Sequence, residues 1–170
     1  MMDIQYLGNL ELLKCKKTAF LASSTIPPEM VLRCYDWAAG KHDGCVVSGF
    51  SSKLEKDVLH FLLKNNCPII LVLARRMYRD IPEQLKTPLE QGRLLIISTS
   101  TAVRQSKVTA QTRNRYICEL SDHIFFVGVT PNSSLYPLRN TYFNKVDEEI
   151  AFVESMIKPI TERISHQNIK

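Results

Sequence analysis

Five short apolar segments constrain the fold of this chain more than any other feature. Each is apolar at nearly every position rather than at alternate positions, which is typical of strands that are covered on both faces. The segments lie at residues 18–23, 45–47, 69–74, 94–97 and 123–129. Because helical patterns separate them, they predict a parallel sheet with helices packed on both sides.

The intervening segments carry helix signals of different strength. Residues 28–40 and 108–120 have apolar side chains at helical spacing, and Ser52 to Glu55 has the form of a capping box. Residues 75–92 predict only one or two short helical turns, because Pro88 forbids a continuous helix. The alternation predicts an α/β fold, namely a Rossmann-like three-layer sandwich with a mainly parallel sheet of about five or more strands.

The length of the chain predicts one domain over residues 1–170. Residues 1–14 are expected to form a helical or extended arm. Residues 147–165 have an apolar stripe at helical spacing and predict a C-terminal helix with a kink at Pro159. The pattern over residues 135–143 is ambiguous.

Polar residues follow the predicted strands where each strand ends. Four strands are followed by small hydroxyl residues, and the third is followed by Arg75 and Arg76. The carboxyl ends of parallel strands meet at one edge of a sheet, where ligands of such folds bind. Hydroxyls, backbone amides and helix N-termini commonly hold phosphate groups. The sequence therefore predicts a phosphate site at this edge.

The segment 112–122 carries the strongest signal for a bound anion. Arg113 lies three residues before Tyr116, so we expect it beside the buried stripe, at the helix start and near the strand exits. A guanidinium there can hold a phosphate through two parallel hydrogen bonds. Arg115 lies four residues before Glu119, and a surface ion pair between them is an equal alternative to a ligand contact.

The predicted ligand-binding residues come from the strand exits and from this helix. Phe50 follows a strand exit, where it can stack on a base, and Lys53 and Arg75 widen the basic surface. The full set is Ser23, Ser48, Gly49, Phe50, Lys53, Arg75, Arg113, Asn114, Arg115, Ser133 and Ser134.

No cofactor, metal or catalytic residue is predicted. Neither a GxGxxG nor a GxxxxGK[ST] motif is present, which argues against a dinucleotide dehydrogenase and a P-loop NTPase. The histidines have no mutual spacing typical of metal ligands, and the five cysteines include no CxxC pair. Scattered cysteines and the lack of a long apolar run or a signal-peptide pattern predict a cytoplasmic protein with no membrane partner.

Three sequence motifs resemble the DNA-processing A (Smf) family. Arg113-Asn114-Arg115 with Leu120-Ser121-Asp122 is similar to the core signature of that family, and Ser48-Gly49 matches its serine-glycine loop. Asn132-Ser133-Ser134-Leu135 stands where the family has a Ser-Gly-Ser-Leu turn. The resemblance covers roughly residues 18–136. It implies a Rossmann-like domain, shared with lysine-decarboxylase-like phosphoribohydrolases, together with single-stranded DNA binding, homodimerisation and loading of a RecA-type recombinase.

The chain departs from the family pattern in places that bear on activity. Lys53-Leu54-Glu55 replaces a Gly-Ile-Asp segment, and the phosphoribohydrolase motif is absent. We therefore predict non-catalytic binding of single-stranded DNA or of a nucleotide-like phosphate ligand, and make no prediction of recombination. Two alternatives stay open: a nucleotide hydrolase of the phosphoribohydrolase type that uses Glu55 or Glu119 as base or nucleophile, and a degenerate dimeric interaction module.

Overall fold

The five apolar segments and a strand from the N-terminal arm form one six-stranded sheet in a computed structural model, which describes residues 3–146. The strands are β1 (Gln5–Gly8), β2 (Lys17–Ala22), β3 (Cys45–Ser48), β4 (Ile69–Leu73), β5 (Leu94–Ser98) and β6 (His123–Val127). The helices are α1 (Pro28–Ala39), α2 (Lys53–Lys64), α3 (Glu83–Glu90), α4 (Lys107–Leu120) and α5 (Tyr136–Thr141). Short 3-10 helices span Leu10–Lys14 and Phe143–Lys145. The helix expected at 147–165 lies outside the described residues.

The strand order is β1-β5-β4-β3-β2-β6, and every pair is parallel except β1 with β5. The predicted Rossmann-like α/β fold with a mainly parallel sheet is therefore confirmed. The N-terminal arm contributes β1 as an antiparallel edge strand. Three of its four residues are exposed, so its sequence carries no apolar run that indicates a strand.

Two hydrophobic cores lie on opposite faces of the sheet, because successive residues of each strand point to opposite sides. Phe20, Val46 and Ile96 pack with α1 and α2 on one face. Leu21 and Val47 pack with α4 on the other. Each parallel strand is thus buried on both faces, which is why its sequence is apolar at consecutive positions.

The order of the strands reverses at one point in the sheet. From β2 the chain adds β3, β4 and β5 in one direction, and α4 then returns it to β6 on the other side of β2. The helical connections before and after such a point lie on opposite faces of the sheet. This leaves a crevice between the carboxyl ends of the two neighbouring strands that flank the point. The fold therefore places its crevice at the ends of β2 and β6.

The Glu55 carboxylate joins the end of β2 to the start of α2. Its Oε2 accepts a hydrogen bond from Ala22 N at 3.0 Å, and its Oε1 accepts from Ser51 N at 3.0 Å and Ser52 N at 3.2 Å. The Ser52 hydroxyl in turn accepts from Glu55 N, so the predicted capping box is present. These bonds hold one wall of the crevice in place.

Replacing Glu55 with Ala is expected to lower the free energy of unfolding by about 2–4 kcal/mol, because three backbone donors lose their acceptor together. Urea denaturation followed by circular dichroism measures this change. The exposed Glu90 at the end of α3 provides the matched Glu90→Ala control, which should change stability little. Equal free energies of unfolding for the two variants would show that the Glu55 hydrogen bonds do not stabilise the fold.

Candidate anion-binding groove

An open groove of about 1590 Å³ lies at the carboxyl ends of β2 and β6. Residues 22–28 form one wall, and residues 128–136, after β6, form another. The starts of α2 and α4 complete the lining through Ser52, Glu55 and Gln105. The groove thus occupies the crevice that the reversal of strand order creates.

Hydroxyl groups connect the two walls of the groove. Ser23 Oγ and Ser133 Oγ lie 2.6 Å apart and share a hydrogen bond. Ser23 N also donates to Val127 O at 3.0 Å, and Ser133 N donates to Thr130 O at 2.8 Å. Two of the predicted phosphate-site serines are therefore in contact, although 110 residues separate them in the chain.

Arg113 is the main cationic group of the groove. Its residue is only 4% exposed, and it lies in the middle of α4 rather than at the helix start where the sequence placed it. Nε donates to Asn114 Oδ1 at 3.1 Å, and Nη1 donates to Gln105 Oε1 at 3.1 Å. Both acceptors are neutral amides, and Arg113 forms no ion pair with any residue in 3–146.

Gly49 lies directly against the Arg113 guanidinium. A Cβ atom at Gly49 would lie 2.6 Å from Arg113 Cζ, closer than side-chain atoms approach one another. The preceding Ser48 is fully buried, and its hydroxyl accepts a hydrogen bond from Phe50 N at 3.1 Å. Ser48 and Gly49 therefore do not line the groove. They form the turn that positions Arg113 beneath it.

The charge of Arg113 is only partly compensated by its surroundings. Burial lowers the pKa of Arg113, and the charge of Glu55 opposes that shift. A guanidinium nevertheless stays protonated near neutral pH. The Glu55 oxygens already accept three backbone hydrogen bonds. A buried charge held only by neutral groups is costly, and an anion in the groove would reduce that cost.

The structure brings some of the predicted ligand-binding residues together at the groove. The groove is lined by five of the predicted residues, Ser23, Arg113, Asn114, Ser133 and Ser134. Lys53 is exposed at the edge of a smaller neighbouring cavity of about 180 Å³, which Tyr35 and Asp57 also line. Arg75 follows β4, which is separated from β2 by β3, and does not line the groove.

Two predicted contacts do not fit the positions of their side chains. Phe50 is 5% exposed and packs in the core that α1 and α2 cover, so its ring has no free face for a base. Its backbone φ of 45° is in the left-handed region. Arg115 is exposed and lies about 200° around α4 from Arg113, on the side away from the groove. Glu119 accepts a hydrogen bond from Tyr142 OH and forms no ion pair with Arg115.

Two residues of this site, Gln105 and Arg139, were not predicted from the sequence. Gln105 lies in a polar stretch before α4, and no local motif distinguishes it from its neighbours. Arg139 of α5 also lines the groove, from a segment whose pattern was ambiguous.

The described part of the chain offers neither a cluster of metal ligands nor a membrane-spanning helix. Residues 3–146 contain no group of three or more His, Cys, Asp or Glu side chains placed to hold a metal ion. None of the helices there is long and apolar enough to span a bilayer.

Comparison with solved structures identifies the fold. The chain superposes on DNA processing protein A from Streptococcus pneumoniae with a TM-score of 0.68 and 20% identity, over 84% of this chain and 53% of that one. It superposes on DNA processing protein A from Helicobacter pylori, described for its single-stranded DNA binding mode, with a TM-score of 0.64 and 19% identity. That match covers 84% of this chain and 69% of the other.

The chain therefore has the fold of DNA processing protein A, as its Arg-Asn-Arg and Ser-Gly motifs predicted. It spans about half the length of the Streptococcus pneumoniae protein. No protein-family model matches the sequence. No curated protein matches it either. The relation to the phosphoribohydrolases stays a prediction.

Replacing Gly49 with Ala is expected to displace Arg113 and to lower the free energy of unfolding by about 1–3 kcal/mol, because the added methyl group overlaps the guanidinium. Gly40→Ala is the matched control, since a Cβ there would meet no atom closer than 3.4 Å. Urea denaturation gives the stability of both variants, and ¹⁵N NMR of the arginine Nε–H groups reports the position of Arg113. An unchanged Arg113 signal in Gly49→Ala would contradict the contact.

Proposed function

We propose that this chain binds single-stranded DNA without chemical change, and that Arg113 contacts a backbone phosphate in the groove. The observation that carries the proposal is the Arg113 guanidinium, which is almost fully buried beside the groove and has only neutral hydrogen-bond partners. A phosphate would give this buried charge a counter-charge. Hydrogen bonds between two charged groups are roughly twice as strong as those between neutral groups.

The side chains around Arg113 suggest how the phosphate enters. Gln105 is an exposed residue that holds Nη1 through one amide oxygen, so it can give up this bond to a phosphate oxygen at low cost. Asn114 holds Nε and keeps the guanidinium oriented. The hydroxyls of Ser23 and Ser133 line the groove and share one hydrogen bond, so the hydroxyl that accepts this bond can donate to a further phosphate oxygen.

The fold supports the same class of ligand. The Helicobacter pylori protein with this fold is described as binding single-stranded DNA. Of the motifs that resemble its family, Arg113-Asn114 and Ser133-Ser134 line the groove and Ser48-Gly49 forms the turn beneath Arg113, whereas Leu120-Ser121-Asp122 lies at the start of β6. Homodimerisation and a RecA-type partner, which the resemblance implies, stay predictions for this chain. The cytoplasmic location also stays a prediction. The five cysteines are in the free form, which is typical of a reducing compartment.

The hydrogen bonds and positions of Glu55 and Glu119, the two candidate catalytic carboxylates, favour binding over hydrolysis. Glu55 lines the groove, but both of its oxygens accept backbone hydrogen bonds. Glu119 is exposed and bonds to Tyr142. A general base must lie within hydrogen-bond reach of the proton that it removes, whereas Glu119 lies outside the groove and the Glu55 carboxylate is held in the groove wall by its backbone bonds. Release of base from a panel of nucleoside monophosphates would reverse this preference.

Arg113→Ala is expected to weaken the binding of labelled oligothymidylate by at least about tenfold, because a charge-assisted contact worth about 1.5–3 kcal/mol is lost. Fluorescence anisotropy measures the affinity. Arg113→Lys should restore only part of it, since an ammonium lacks the planar fork of donors. Wild-type binding should weaken with salt, because phosphate contacts release counterions.

Arg115→Ala is the matched control, because it removes the same charge from the side of α4 that faces away from the groove. It should bind close to the wild-type level. The proposal fails if the wild type shows no salt-sensitive binding, or if both substitutions reduce affinity equally while the proteins stay folded by circular dichroism.

A further inference from the structure

The exits of β4 and β5 form a second cationic surface beside the groove. Residues 74–79 contain three arginines and no acidic residue. Residues 99–112 contain Arg104 and Lys107 and no acidic residue. None of these five side chains takes part in the ion pairs of residues 3–146, which join Lys14 with Glu11, Lys17 with Asp122 and Lys86 with Glu83. We define the basic track as Arg75, Arg76 and Arg104.

Backbone contacts join the two exits into one surface. Arg76 N donates to Ala102 O at 2.8 Å. Ser98 Oγ, at the end of β5, donates to Arg75 O at 2.6 Å. Arg104 is exposed and directly precedes Gln105, whose side chain holds Arg113. These contacts connect the exits of β4 and β5 to each other, and Arg104 connects them to the groove through the neighbouring Gln105.

Arg75 of the track is held in place, and the track has no ion pair within residues 3–146. The Arg75 guanidinium lies 5.5 Å from the centre of the Tyr78 ring, and its Nε donates to Arg76 O. This contact reduces the entropy that Arg75 loses on binding an anion. Arg76 Nε is buried and has no hydrogen-bond partner within the described residues. Residues 22–28 and 128–134 of the groove contain no ionisable side chain, and Arg139 of α5 lines the groove beyond them.

We infer that a single strand bound at Arg113 continues along the carboxyl edge of the sheet to the basic track, so that the ligand is a polymer and not a mononucleotide. The inference rests on the proposed function and adds the path of the strand. Arg113 lies against Gly49 at the exit of β3, and the strands of a sheet lie about 4.8 Å apart, so the exits of β4 and β5 lie roughly 5 and 10 Å along the edge from it. One phosphate at Arg113 leaves the track without a ligand, whereas successive phosphates of a polymer can contact both.

The test compares short and long oligothymidylates, of about 4 and about 16 nucleotides, which span the usual range of site sizes in single-strand binders. Fluorescence anisotropy is measured with the full chain over a range of salt concentrations. The double substitution Arg75→Ala with Arg104→Ala should weaken binding of the long oligomer and leave the short one unchanged. Its salt dependence, as the slope of log affinity against log salt, should fall by about 1.4, because each phosphate contact on a single strand contributes about 0.7.

The matched control removes two charges from the opposite edge of the sheet. Lys16 precedes β2 and Lys64 ends α2, and both are exposed, so Lys16→Ala with Lys64→Ala should bind both oligomers as the wild type does. The single charge reversal Arg104→Glu, at an exposed position, tests the track without disturbing the Arg75 contacts if the double variant proves unstable.

The outcomes separate the track from the groove. If Arg113→Ala weakens both oligomers while the Arg75 and Arg104 substitutions weaken neither, the path along the track is wrong and the groove proposal stands. If the short and long oligomers bind with equal affinity and equal salt dependence, the track is also wrong. If Arg113→Ala has no effect on either oligomer, the proposed function itself fails.

Discussion

The burial of one guanidinium whose charge is only partly compensated is the constraint on which the rest of this site depends. Arg113 lies under the groove at 4% exposure and contacts Gly49 where only a glycine leaves room. Its position requires α4 to cross the sheet from β5 to β6, and it requires the β3 exit to turn tightly through Ser48 and Gly49. The nearby carboxylate, Glu55, is committed to three backbone donors. The fold thus supplies a cation and leaves its counter-charge to a ligand.

The same edge of the sheet supplies both hydroxyls and cations, but in different places. Ser23 and Ser133 meet where the strand order reverses, and the arginines follow β4 and β5 on one side of that point. The edge therefore extends from the hydroxyl-rich groove, which Arg113 and Arg139 line, to the basic track at Arg75. A surface with this asymmetry suits an extended polyanion better than a compact ligand.

Sequence reasoning predicted the features that depend on local pattern. Consecutive apolar residues indicated the five parallel strands, and Ser52 with Glu55 indicated a capping box. It missed Gln105, whose role depends on a contact with Arg113 eight residues away across the start of α4. It proposed that Phe50 stacks on a base, but a strand-exit position does not fix side-chain direction, and in the structure the ring packs in the core. Strand β1 depends on pairing with β5, a contact that its own sequence does not encode.

A crystal structure of the chain with a short oligothymidylate would show whether Arg113 binds a phosphate. We expect a phosphate oxygen about 2.7–2.9 Å from a terminal nitrogen of Arg113, with the Gln105 amide displaced from Nη1. We also expect that Asn114 still accepts from Nε. An oligomer bound on another face of the protein, with Arg113 still bonded to both Gln105 and Asn114, would contradict phosphate binding by Arg113.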